Sequence, residues 1–211
     1  METRLARPAD LPSIGRITNT AIERGGETGF TAPLPALHWE AWLEAHRPDR
    51  HPVIVALNAT TEEVVGYLSL SPYRPGRGIL DRTAEVSIFI DAEHHRRGVG
   101  KALIAHALAL APALGLDRVL GILLATNRAS LAFFERCGFS LWGTFPGVAR
   151  IEGADVDHWI VGRAIEPPGP GSVADPEERG HTPPPERPGD RSPGLLTSGS
   201  PQRDRSSSSP E

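Results

Sequence analysis

The segment His95-Arg96-Arg97-Gly98-Val99-Gly100-Lys101 carries the densest chemical signal in the chain. It follows an apolar run of strand character and precedes apolar residues at helical spacing. Its two glycines remove the Cβ atoms that keep a ligand away from the main chain. The first turn of a helix offers N–H groups without intrahelical acceptors, and its dipole favours an anion. Arg96, Arg97 and Lys101 add positive charge, so the segment reads as a seat for a pyrophosphate. A Walker A loop is excluded, because Ala102 stands where that loop needs Ser or Thr. A dinucleotide fingerprint is excluded too, because Leu103 replaces its third glycine.

A second pattern lies downstream: Asn127-Arg128-Ala129-Ser130, then Phe133-Phe134-Glu135, then Cys137-Gly138-Phe139. Asn127 suits a helix N-cap and Gly138 suits the residue that ends the helix. Phe133 and Phe139 suit a core. In this order and separation, the two segments resemble the [QR]-x-x-G-x-[GA] turn and the later N-x-x-[AS]-x-x-[FL]-[YH]-E-x-x-G-F motif of the GNAT N-acetyltransferases. His95 stands where that family usually has Gln or Arg. The resemblance implies acetyl-CoA as donor, no metal, and a pyrophosphate held by main-chain N–H groups over residues 95–101, Val99 included. It places Asn127, Ser130 and Phe133 beside the rest of the cofactor. It also implies a gap between two splayed central strands, in which main-chain groups of Ile88, Phe89 and Ile90 pair with the pantetheine amides as a partner strand would.

A third candidate is Glu85. Amide formation needs a neutral amine, and an alkyl ammonium with a pKa of about 10 is mostly protonated near neutrality. A carboxylate can attract that ammonium and take its proton. Glu is depleted in strands, so Glu85 within Thr83-Ala84-Glu85-Val86-Ser87 calls for a reason. The stretch resembles the T-x-E-x-[ST] strand of the phosphinothricin acetyltransferase branch, and Arg77 fits its R-x-x-x-x-x-T-x-E spacing. The resemblance implies Glu85 as the base. Thr83, Arg77 and Arg74 then lie at the substrate, and the two arginines suit a substrate carboxylate.

The sequence departs from the branch at three places. Phe134 replaces the Tyr or His proposed as a general acid, and Phe cannot donate a proton. Ile79 and Leu80 replace an Ala-Tyr pair. The C-terminal G-x-W-x-D pattern has lost its Trp in Gly153-Ala154-Asp155-Val156-Asp157. These leave the acceptor amine open. Two chemical routes compete: direct attack in a ternary complex, with an oxyanion held by N–H groups beside Phe89 and Ile90, or transfer through Cys137. Cys137 ends an apolar helix and reads as packing. His94 and His106 have no metal-site spacing.

The elements that position these residues follow from periodicity. Asp10 is a candidate N-cap for a helix with Ile14, Ile17, Ala21 and Ile22 on one face. A second helix spans 37–46, with Trp39, Trp42 and Leu43 apolar. Strands are expected over 52–57, 64–71 and 83–90. A helix follows from Val99 to near Pro112, then a strand over 119–124, a helix over 127–137, and strands over 139–145 and 156–164. The expectation is a mixed α/β GNAT fold: a helix pair, an antiparallel meander with splayed central strands, then flanking helices and further strands.

The whole chain sets bounds. Its 211 residues, 39% hydrophobic and 23% charged, suit one domain, taken as residues 1–165. Residues 166–211 are rich in Pro, Gly, Ser and Arg and are expected to be a disordered tail. The net charge of -4 argues against a general nucleic-acid binder. One cysteine and no long apolar run suit a cytoplasmic protein off the membrane. The resemblance also implies a homodimer and a small amino-acid-like amine as substrate. Acetylation of a protein N-terminus or lysine, and non-catalytic acyl-CoA binding, are the competing functions.

Overall fold

The computed structural model describes residues 1–25 and 28–166; the tail expected over 166–211 lies, after Glu166, outside the described residues. Seven strands form one sheet in the order β1-β2-β3-β4-β5-β7-β6. They are β1 (Glu2–Leu5), β2 (Val53–Leu57), β3 (Val64–Pro72), β4 (Thr83–Ile90), β5 (Arg118–Leu124), β6 (Ser140–Ile151) and β7 (Ala154–Ala164). The helices are α1 (Leu11–Arg24), α2 (Ala36–Ala45), α3 (Val99–Leu110) and α4 (Arg128–Arg136). All neighbours pair antiparallel except β4 and β5, which run parallel.

Alternation along the central strands builds two cores. Leu68 and Leu70 of β3, with Ala84 and Val86 of β4, face a core shared with Val99, Leu103 and Phe134 from α3 and α4. Tyr67 of β3 and Phe89 of β4 face a second core, with Ile14, Ile17 and Trp39 from α1 and α2. Period-two side-chain placement thus puts Glu85, between Ala84 and Val86, on the α1–α2 side of the sheet.

Three boundaries differ from the sequence expectation. β1 was not expected: its four residues are too few for a period, and it is stabilised by pairing along β2 from Glu2↔Leu57 to Leu5↔Ile54. β6 runs to Ile151, past Pro146 and Gly147, because a register shift between Phe145 and Ala149 absorbs both as an irregularity. The following hairpin turns on Glu152 and Gly153, both at positive φ. Asp10 precedes α1 but makes no side-chain cap. Its carboxylate is taken by Arg4 at 2.7 and 2.9 Å and by the Arg7 N–H at 2.7 Å, which fastens β1 to the start of α1.

Candidate active site

β4 pairs with β3 along its whole length, from Ala84↔Pro72 to Ile90↔Gly66. It pairs with β5 only at Thr83↔Arg118, Ala84↔Val119 and Glu85↔Leu120. Beyond Glu85 the two strands part, and the edge of β4 from Val86 to Ile90 has no strand partner on that side. Alternate N–H and C=O groups there point into the gap. The side chains stay in the cores: Ile88 and Ile90 on the α3 side, and Phe89 stacked on Tyr67 at a ring separation of 5.4 Å. Over five residues the open edge spans about 17 Å. Glu85 stands at its closed end and the α3 turn at its mouth.

The turn into α3 leaves helix N–H groups open. Gly98 adopts φ +84°, a left-handed conformation, and nothing lies within 4 Å of where its Cβ would stand. Ala102 is the first α3 residue to donate to the preceding turn, to the Gly98 carbonyl at 3.0 Å. That leaves the N–H groups of Val99, Gly100 and Lys101 without intrahelical acceptors. Arg96, at φ +59°, Arg97 and Lys101 are exposed around them. The two glycines divide the work. A Cβ on Gly100 would meet Phe133 at 2.9 Å and Ile90 at 3.0 Å, so Gly100 lets α3 approach α4 and the end of β4. His95 Nε2 donates to the Ile90 carbonyl at 2.9 Å and ties the turn to the strand. Arg16 of α1 pairs with Asp91 at 2.6 Å and braces the same corner.

On the far side of the gap, Asn127 caps α4 and accepts from the Ser130 N–H at 3.0 Å. Phe133 covers Gly100 from α4 and is half-buried with Ser130. Gly138, at φ +80°, closes α4: its N–H reaches Glu135 O at 2.9 Å and the Phe139 N–H reaches Phe134 O at 3.0 Å, the Schellman arrangement. Phe134 is 2% exposed and packs edge-on to Phe139. It is core, and no proton donor stands at its position.

At the closed end, Glu85 is half-buried and has no ion-pair partner among the described residues. Burial pushes its carboxyl above the ordinary Glu value. Thr83 lies two residues earlier on the same strand face. Arg74 and Arg77 lie in the loop between β3 and β4; both are exposed and free of ion pairs among the described residues. The Arg74 guanidinium sits 5.5 Å from the Tyr73 ring centre. Sequence reasoning missed Ser71, which sits directly across from Glu85 on β3, and His46, whose Nε2 lies 3.3 Å from the Ser71 Oγ. The alternation of Ser69 and Ser71 in β3 was the available signal; no local pattern pointed to His46. Trp39 is buried, and Trp42 packs edge-on to Tyr67, so both belong to the second core.

A mixed sheet whose central strands part beside a glycine-turned helix N-terminus fits the class of acetyl-CoA-dependent N-acetyltransferases. The acetyltransferase (GNAT) family profile matches residues 17–139, and the chain belongs to that family. It is 35% identical over 165 residues to the protein named "Putative phosphinothricin acetyltransferase YwnH" of Bacillus subtilis (strain 168), covering 78% of this chain and 99% of that protein. It is 29% identical over 164 residues to the L-methionine sulfoximine/L-methionine sulfone acetyltransferase of Pseudomonas paraeruginosa, covering 78% and 94% of the two chains. The crystal structure of a GNAT superfamily phosphinothricin acetyltransferase from Sinorhizobium meliloti in complex with AcCoA matches with a TM-score of 0.73 and 26% identity, over 84% of this chain and 94% of that one. No helix among the described residues is long and apolar enough to cross a membrane.

Proposed function

We propose that the protein acetylates the primary amine of a small, amino-acid-like acceptor of the phosphinothricin or methionine sulfoximine type, by direct transfer in a ternary complex. The observation that carries this reading is Glu85, half-buried at the closed end of the β4–β5 gap with its carboxyl pushed up by burial. A carboxylate of raised pKa binds an ammonium and takes its proton more readily than an exposed one. Bound acetyl-CoA supplies an activated thioester carbonyl. The residues available to hold it are the main-chain groups of Ile88, Phe89 and Ile90, the turn 95–101, and Asn127, Ser130 and Phe133. Glu85 takes the ammonium proton, the freed amine nitrogen bonds to the acetyl carbon, the C–S bond breaks, and the second nitrogen proton passes through solvent to the departing CoA sulfur, which leaves as the thiol. N–H groups on the free edge of β4 are the donors on hand for the developing oxyanion. Arg74 and Arg77 are free to pair with a substrate carboxylate.

Burial pushes the Cys137 thiol up, away from the thiolate a covalent route needs. Turnover of acetyl-CoA over a panel of amino acids, simple amines and peptides tests the reading. Glu85→Gln is expected to lose roughly 10²–10⁴-fold in kcat/KM near neutral pH. Cys137→Ala is expected to turn over normally. A fully active Glu85→Gln variant removes the base assignment, and a panel answered only by peptides removes the substrate class.

The reading extends to a homodimer working in the cytoplasm. The outer strand β6 exposes Leu141 (51%), Trp142 (47%), Phe145 (45%) and Val148 (60%). A run of large apolar side chains on an edge strand is a surface that a second copy would cover.

A further inference from the structure

The hydrogen bonds around His46 assign its tautomer. Its Nδ1 lies 2.7 Å from the Trp42 carbonyl, which can only accept, so Nδ1 carries the proton. In the neutral ring Nε2 is then an acceptor, and the Ser71 hydroxyl at 3.3 Å is its donor. Burial lowers the His46 pKa below its ordinary value, which keeps the ring neutral through neutral pH. Ser71 and Glu85 are register partners on adjacent antiparallel strands, so their side chains leave the same face with Cβ atoms about 5 Å apart.

Resting on the reading of Glu85 as base, we infer that His46 is a positioning residue for the acceptor amine. Its Nε2 draws the Ser71 hydroxyl proton away from Glu85, so that the Ser71 oxygen and the Glu85 carboxylate face the substrate ammonium as paired acceptors. The physical consequence is directional. Protonated His46 donates from Nε2, the Ser71 oxygen accepts that bond, and its own proton must turn elsewhere. Glu85 is the ionised acceptor across the strand. A hydroxyl bonded to the carboxylate stabilises the charged form, lowers its basicity and occupies the lone pair meant for the ammonium. Arg47, Arg50 and Asp81 gather with His46 around His51. They are common to every variant below.

Three substitutions separate this role from a structural one. Asn at position 46 can still donate to the Trp42 carbonyl but has no atom at the Nε2 position. Gln can place an amide oxygen there, yet does not titrate. Ser71→Ala removes the hydroxyl and leaves the ring bonded to Trp42. His46→Asn and Ser71→Ala are expected to lower kcat/KM for the amine about five- to tenfold, the scale of one hydrogen bond, with the KM for acetyl-CoA unchanged. His46→Gln is expected to recover part of that loss and to show a shallower fall in amine kcat/KM on the acid side than the wild type. Thermal melts accompany each variant. If His46→Asn fails to fold, Ser71→Ala and His46→Gln decide. Wild-type amine kinetics in Ser71→Ala, or a His46→Gln acid limb that superimposes on the wild type, overturns the inference. An inactive Glu85→Gln beside a normal Ser71→Ala refutes this role alone, whereas an active Glu85→Gln refutes the base reading beneath it.

Discussion

Desolvation raises the Glu85 carboxyl, which ties its chemistry to stability through a definite sign. The folded state holds this proton more tightly than the unfolded chain does. The group therefore favours folding below its unfolded pKa, and that contribution is lost as pH rises through the folded value. Glu85→Gln is expected to melt about 1–3 °C higher than the wild type at neutral pH and level with it near pH 4. A variant that melts lower at neutral pH, or by the same margin at both, would remove burial as the cause. Asp10 behaves in the opposite way. Burial pushes its carboxyl up, but hydrogen bonds from Arg4 and the Arg7 N–H, with the charges of both arginines, outweigh that and hold it below the usual range. Its contribution is present above the unfolded pKa and is lost in acid. Asp10 is anchored by neighbours three and six residues away in the chain, whereas Glu85 lies within a strand and owes its burial to elements distant in sequence.

At the scale of elements, the turn into α3 is where ligand geometry and packing meet. Gly98 supplies a left-handed residue with open space above it, and Gly100 supplies a close approach beneath it. Alanine at the two positions should therefore fail differently. Gly100→Ala forces a methyl against Phe133 and Ile90 and is expected to cost about 1–3 kcal/mol of stability. Gly98→Ala meets no atom but must hold φ +84°, a strain of about 1–2 kcal/mol that distorts the seat. Calorimetric titration with acetyl-CoA and thermal melts check the contrast. Gly98→Ala should lose roughly tenfold in affinity, and Gly100→Ala should show the larger fall in Tm; the reverse ranking would overturn the division. The sequence marked both glycines as ligand-facing. It could not divide them, because Phe133 comes to Gly100 from a different helix.

For the whole molecule, the exposed apolar run on β6 makes assembly measurable. Light scattering is expected to report a dimer, and Phe145→Glu a monomer or a dimer weakened by at least tenfold, at about 1.4 kcal/mol per decade. A wild-type chain that stays monomeric at high concentration would leave the β6 surface without its proposed occupant. Much of the architecture was legible beforehand. The meander, α3 and α4 were legible because their apolar residues follow periods of two and of 3.6, and Asn127 and Gly138 mark helix ends by local chemistry. β1 was not legible, and neither was β6 beyond Phe145. Four residues hold no period, and Pro146 and Gly147 break one that the β7 register then restores.

Taken alone, the residue order determined most of the elements, the glycine turn before α3 and the place of Glu85 in a strand, because each is a local property of backbone freedom and side-chain period. Only the tertiary structure decided at which residue β4 and β5 part, that Gly100 serves packing, and that His46 and Ser71 gather beside the carboxylate. Those outcomes depend on strand register and on which helix face docks where. Such choices are fixed by many distant contacts at once, and no short window of sequence contains them.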